Sequence, residues 1–153
     1  MPAVTIYVDG DACPVREEVY KVSDRLGLAV FVVSNGSRPI RPTGRPLVQL
    51  ITVEAGADIA DDWIAERITA SDVCVTSDIP LASRCLERKA RALAPNGKVW
   101  TPDNSGSALA GREISRHMRE IGMATGGPSP LTKQDRSRFL SALDSAIQAA
   151  KRG

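Results

Sequence analysis

The sequence predicts an α/β fold: a mainly parallel sheet with helices on both faces. Three observations predict it. Short apolar runs such as Val4 to Val8, Ala29 to Val33 and Val73 to Thr76 read as strands buried on both sides. Segments with apolar residues at helical spacing separate these runs. Pro and Gly punctuate the joins, with Pro14 opening a helix and Gly27 stopping it. Strands that alternate with helices build parallel sheets, because each crossover returns the chain to the edge from which it started.

The elements follow in order. The first strand, Val4 to Val8, ends in Asp9-Gly10-Asp11. The helix after Pro14 carries Val15, Val19, Val22 and Leu26 at helical spacing. Ala29 to Val33 is the second strand, and Asn35 to Pro46 is a loop rich in Pro, Gly and Arg. Leu47 to Val53 is the third strand, broken by Gly56. Asp58 to Ile68 is a helix with Ile59, Ala60, Trp63 and Ile64 on one side. Val73 to Thr76 is the fourth strand, followed by a helix from about Pro80 to Lys89. A short strand at Arg91 to Ala94 and an extended piece at Val99 to Thr101 come next. Ala108 to Ile121 is helical, and Gly122 to Pro130 is a Gly/Pro loop. The last helix starts near Thr132, with Asp135 three residues on as a capping box. Its apolar stripe is Phe139, Leu143, Ala146, Ile147 and Ala150.

Composition narrows the class. The chain has 153 residues, one domain over 1–153, and is long enough for a core without staples. A formal net charge of +2 does not by itself argue for nucleic acid. The three cysteines, Cys13, Cys74 and Cys85, form no disulfide framework and suit a reducing compartment. Cys74 and Cys85 read as small core residues, and Cys13 has no neighbouring His or Lys to activate it. No signal peptide is visible, and no apolar stretch approaches the ~20 residues that span a bilayer. The expected location is the cytoplasm, with no membrane partner. A single histidine, His117, excludes clustered His metal sites and zinc fingers.

Ligands bind outside the carboxyl ends of the strands in such sheets, and three acidic groups fall at or near that edge. Asp9 and Asp11 leave the first strand. Turn and cap roles are the ordinary use of Asp there, but two carboxylates exceed what one cap needs. Asp58, Asp61 and Asp62 share the polar arc of the second helix, opposite Ile59 and Trp63. Acids in a first turn complement the helix dipole, yet a row of three repels itself without a cation nearby. Asp78 ends the fourth strand in Thr76-Ser77-Asp78 and can cap the next helix. Carboxylates gathered at one edge suit Mg²⁺ or Mn²⁺ and not zinc. Such a site activates water and stabilises charge on a phosphoryl group.

At these residues the chain resembles the YaiI/YqxD family of uncharacterised bacterial proteins. The resemblance runs from Tyr7-Val8-Asp9-Gly10-Asp11-Ala12-Cys13-Pro14 through Ala60-Asp61-Asp62-Trp63-Ile64 and Thr76-Ser77-Asp78-Ile79-Pro80-Leu81-Ala82. It ends in Gly126-Gly127-Pro128 and Asp135-Arg136-Ser137-Arg138-Phe139, covering nearly all the chain. More distantly, the acidic motifs are similar to those of PIN-like and NYN ribonucleases. That similarity implies a PIN-like, Rossmann-like three-layer sandwich, Mg²⁺ or Mn²⁺ as cofactor, and RNA ahead of DNA as partner. It carries over Asp9, Asp61, Asp62 and Asp78 as metal-site and catalytic candidates. Asp58 stands beside them for the metal and Asp11 for catalysis. The chain departs from NYN enzymes at Asp11, where those usually have Asn.

Basic residues supply candidate phosphate contacts: Arg38, Arg41 and Arg45 in the long loop, and Arg136 and Arg138 near the last helix. Scattered arginines are also the ordinary content of a solvated face. Asn35 and Ser77 complete the substrate-binding candidates. Gly126-Gly127 is a candidate anion nest or a plain turn.

Three functions compete. The leading one is a metal-dependent phosphodiesterase acting on RNA, with Asp9, Asp61 and Asp78 on the metal and Asp62 or Asp11 orienting water. The second is a phosphatase of the haloacid-dehalogenase type, with Asp9 as nucleophile and Ser34 as its Ser/Thr motif. The early helix at Pro14 leaves little room for the insert such enzymes carry. The third is a non-catalytic nucleic-acid-binding or regulatory module, against which the clustered acids count, since they repel phosphates without metal.

Overall fold

The computed structural model describes residues 4–10, 14–35, 40, 42–54, 59–103 and 131–152. Along the chain they form β1 (Thr5–Asp9), α1 (Arg16–Leu26), β2 (Ala29–Ser34), β3 (Val48–Thr52), α2 (Ile59–Arg67), β4 (Val73–Val75), α3 (Ile79–Glu87), β5 (Arg91–Leu93), β6 (Val99–Trp100) and α4 (Lys133–Arg152). The strands make one six-stranded sheet in the order β3-β2-β1-β4-β5-β6. All neighbours are parallel except β5 and β6, which are antiparallel. The fold class expected from the sequence is the one observed. The expected helix at Ala108 to Ile121 and the loop at Gly122 to Pro130 lie outside the described residues.

Side chains alternate across each strand, and this sorts the core into two layers. Ile6 and Val8 of β1 pack with Val15 and Val19 at α1 and with Phe139, Leu143 and Ile147 of α4. Tyr7, between them, faces the other way, with Ile64 of α2 and Leu81 and Cys85 of α3. The sheet is therefore covered by α1 and α4 on one face and by α2 and α3 on the other. Strands covered twice have no solvent face, which is why they read as continuous apolar runs.

The helix ends follow local chemistry. Pro14 and Val15 form a turn, and α1 begins two residues after the proline. Gly27 ends α1 in the left-handed conformation at φ 67°, with its N–H on the Ser23 carbonyl. At the start of α4, the Thr132 N–H donates to Asp135 Oδ2 at 3.0 Å, and the Asp135 N–H donates to Thr132 Oγ1 at 3.1 Å. This is the reciprocal box expected from the sequence.

The backbone bond from Thr132, followed by the Arg138 guanidinium, holds the Asp135 carboxyl below the usual carboxylate range. A carboxyl lowered on folding stabilises the fold above its unfolded value, and that contribution is lost as pH falls through the folded value. Thr132→Ala is expected to lower Tm by about 2–4 °C, the size of one lost cap in a chain of this length. Thr132→Ser keeps the hydroxyl and should melt like the parent. Thermal melts of the three proteins check this.

Candidate functional site

Sheet order locates the site. From β1 the chain winds outward through β2 to β3; from β4 it winds the opposite way to β5. The connections leaving β1 and β4 therefore diverge, and the gap between those adjacent strand ends is the switch point at which open α/β sheets bind ligands.

Asp9 is the last residue of β1 and is 5% exposed. It shares the parity of Tyr7, so its side chain lies on the α2/α3 side. Gly10 follows it in a place with no room for a side chain. A Cβ there would stand 2.8 Å from Ile40 Cδ1 and 2.9 Å from Val32 Cγ1. The glycine lets the chain leave β1 close against β2.

Thr76 follows β4 and is fully buried. Its Oγ1 donates to Asp9 Oδ2 at 2.9 Å and accepts the Asp78 N–H at 2.9 Å. The one hydroxyl thus serves both as donor to the Asp9 carboxyl and as acceptor for the Asp78 amide. The Thr76 backbone is also fixed: its N–H donates to the Leu93 carbonyl, and its carbonyl accepts Trp100 Nε1 at 3.2 Å. Asp78 Oδ1 accepts the Leu81 N–H at 3.0 Å and caps α3, with Pro80 in the first turn. One buried hydroxyl thus ties the first acidic group to the third across the switch point.

The second group arrives on α2, whose first turn carries Asp61 and Asp62. This helix follows β3, so its start belongs to the same carboxyl edge. Asp62 Oδ1 pairs with Arg84 Nη1 of α3 at 2.7 Å, with side chains 49% and 42% exposed. Asp61 and Asp9 both act on the buried Cys74 thiol. That thiol is pushed well above its ordinary value by the neighbouring Cys85, then by burial, then by these two carboxylates. Cys74 and Cys85 are free and buried, as expected.

Asp9, Asp61, Asp62 and Asp78 therefore belong to one edge of the sheet. Their donor oxygens are of the kind that suits Mg²⁺ or Mn²⁺. Among the described residues, however, no three His, Cys, Asp or Glu side chains stand together as a group that could hold a metal ion. Asp11, Asp58, Arg38, Arg41, His117, Cys13 and the Gly126-Gly127 pair lie outside the described residues.

Asn35 directly follows β2, and Ser77 is exposed beside Asp78. The other basic candidates pair with acids away from the Asp9 side chain. Arg45 bonds Asp24 at 2.9 Å and lies over the Tyr20 ring. Arg136 reaches Glu18 at 3.0 Å and the Pro14 carbonyl, joining α4 to α1. Arg138 pairs with Asp135 within its own helix. These last two are on the α1/α4 layer, across the sheet from the Asp9 side chain. Sequence reasoning missed Thr76 and Arg84. Thr76 read as the end of a strand, although its even spacing from Cys74 put it on the Asp9 side. Arg84 gave no signal, because its partner is 22 residues away.

The model of a family described as "uncharacterized BCR, YaiI/YqxD family" matches residues 7–149. A UPF0178 protein of Paramagnetospirillum magneticum is 54% identical over 147 residues, covering 96% of each chain. One from Parvibaculum lavamentivorans is 52% identical over 147 residues, covering 96% of this chain and 95% of its own. One from Caulobacter vibrioides is 52% identical over 148 residues, covering 97% and 95%. No solved structure matches the chain.

Proposed function

The chain belongs to the YaiI/YqxD family, and from that premise we propose that it is a metal-dependent phosphodiesterase acting on RNA. One observation carries the reading. At the switch point, a buried threonine holds Asp9 as an acceptor and links it to Asp78, while α2 brings Asp61 and Asp62 to the same edge. A structural cap accounts for Asp78 alone. It does not account for an aspartate at the end of β1 that is 5% exposed and oriented by a buried hydroxyl.

Asp9, Asp61 and Asp78 would hold Mg²⁺ or Mn²⁺, with Asp58 and Asp62 beside them. Bound there, the cation would polarise a phosphodiester and acidify water. The chain's own contribution is orientation. Thr76 fixes which oxygen of Asp9 faces the protein, and Asp62 or Asp11 would orient water. Asn35 and Ser77, after the two strands that flank β1, would contact substrate.

Two measurements test the reading. With Mg²⁺ or Mn²⁺, single-stranded RNA should be shortened, and EDTA should stop it. Metal alone should stabilise the fold, because a ligand that binds only the folded state adds about 2.7 kcal/mol at a hundredfold excess over Kd. In a chain of this size that is about 5–10 °C in Tm. An unchanged melt with both metals would remove the metal from the proposal.

A second reading has its own observation. Ser34 ends β2 with 5% exposure, next to the strand that ends in Asp9. A haloacid-dehalogenase-type phosphatase with Asp9 as nucleophile would use that serine, although alternation puts its side chain with Val32 on the α1/α4 side. Phosphate release from a generic phosphomonoester, with RNA left intact, would favour it.

A further inference from the structure

The acidic edge poses a problem for any phosphate that approaches it, since carboxylates repel it unless a cation intervenes. Arg84, in the last turn of α3, reaches one acid of that edge. It projects from α3, the helix that Asp78 caps, and pairs with Asp62 on the facing helix at 2.7 Å. Its neighbour Cys85 packs beside Cys74, the thiol on which Asp9 and Asp61 both act. Arg84 pairs with an acid of this edge through its side chain, whereas Arg16 donates to the Gly10 carbonyl. Arg67 and Arg88 donate to backbone carbonyls of α2 and the residue after it, and Arg136 and Arg138 serve the opposite layer.

The pair is half exposed on both sides, and such ion pairs contribute little to stability. Exchange of Asp62 for another anion is therefore cheap. A guanidinium also carries five donors in a planar fork that matches two oxygens of a phosphate, and Asp62 uses one of them. We propose that Arg84 is a substrate-binding residue that leaves Asp62 to take a phosphate oxygen of the nucleic acid. Asp62 is then the positioning residue that holds the fork at the edge until substrate arrives. This rests on the phosphodiesterase reading and names the contact through which that site would tolerate a polyanion.

The test is fluorescence anisotropy with a fluorescein-labelled single-stranded RNA and Mn²⁺, titrated at several salt concentrations. Arg84→Gln should weaken binding by about tenfold or more and lower the salt slope by about one, the signature of one lost phosphate contact. Arg84→Lys keeps the charge and loses the fork, so it should restore the salt slope with intermediate affinity.

Unchanged affinity and slope in Arg84→Gln would overturn the proposal while leaving RNA binding by the parent intact. Weaker binding in Arg84→Gln with a parent-like salt slope, and no rescue by Arg84→Lys, would make the pair a brace between α2 and α3 and overturn it too. A parent that neither binds nor cleaves the RNA takes the phosphodiesterase reading and this proposal down together.

Discussion

Asp9→Asn is expected to abolish metal-dependent cleavage while leaving the fold intact. The structure explains why the fold should survive. Asn offers a carbonyl oxygen in place of Oδ2, so the Thr76 hydroxyl keeps its acceptor, and the amide occupies the same volume. What is lost is negative charge at the switch point. Without metal, removing one carboxylate relieves repulsion from its neighbours, so Tm should stay equal or rise slightly. With metal, the stabilisation should shrink. Mutating partners that only support a metal ligand already costs about 10–100-fold, so losing a ligand should cost more than about a hundredfold in cleavage. The measurements are RNA cleavage rate and Tm with and without Mn²⁺. Parent-like cleavage would sink the mechanism. A marked loss of metal-free stability with the metal response intact would assign Asp9 to the architecture.

Phe139→Ala should have the largest effect on stability. Phe139 is fully buried in the layer between the sheet and α1. Its backbone also lies against the turn between β5 and β6. A Cβ on Gly97, which sits at φ +92°, would meet the Phe139 nitrogen at 2.9 Å. Little there can collapse into a void, and truncating a buried Phe costs about 3–5 kcal/mol. That corresponds to a fall in Tm of about 6–20 °C. Ser141→Ala, on the exposed face of the same helix, should shift stability by no more than about 0.5 kcal/mol. Chemical denaturation of both variants measures the contrast. A small loss for Phe139→Ala would mean that α4 is not an integral layer of the fold. Cleavage below the melting transition should persist, because Phe139 and the Asp9 side chain are on opposite faces of the sheet.

The elements were legible in the sequence because their causes are local. Apolar runs, helical spacing, the glycine at 27 and the Thr132–Asp135 box each depend on residues a few positions apart, and the observed bounds differ by a residue or two. The placement of the acids at strand ends was equally legible, since an aspartate that closes an apolar run is at a strand end whatever the sheet order. Strand order was not. That β1 lies beside β4, and not at an edge, follows from which crossovers pack together, a contest of long-range contacts that no window of sequence contains.

The same limit separates the candidate side chains. Asp9, Asp61, Asp62 and Asp78 could be named because an aspartate that closes an apolar run or opens a helix is visible within a short window of sequence. Their partners could not. Thr76 bonds Asp9 across 67 residues of chain, Arg84 reaches Asp62 across 22, and Arg136 reaches Glu18 across 118. The sequence by itself determined the class of fold, the strand and helix positions and the acidic character of the carboxyl edge, all through local steric and capping rules. Only the tertiary structure decided that Thr76 orients Asp9, that a guanidinium answers Asp62, and that Arg136 and Arg138 belong to the opposite layer. Hydrogen bonds and ion pairs act over a few ångströms, and which groups come that close depends on the packing of the whole chain.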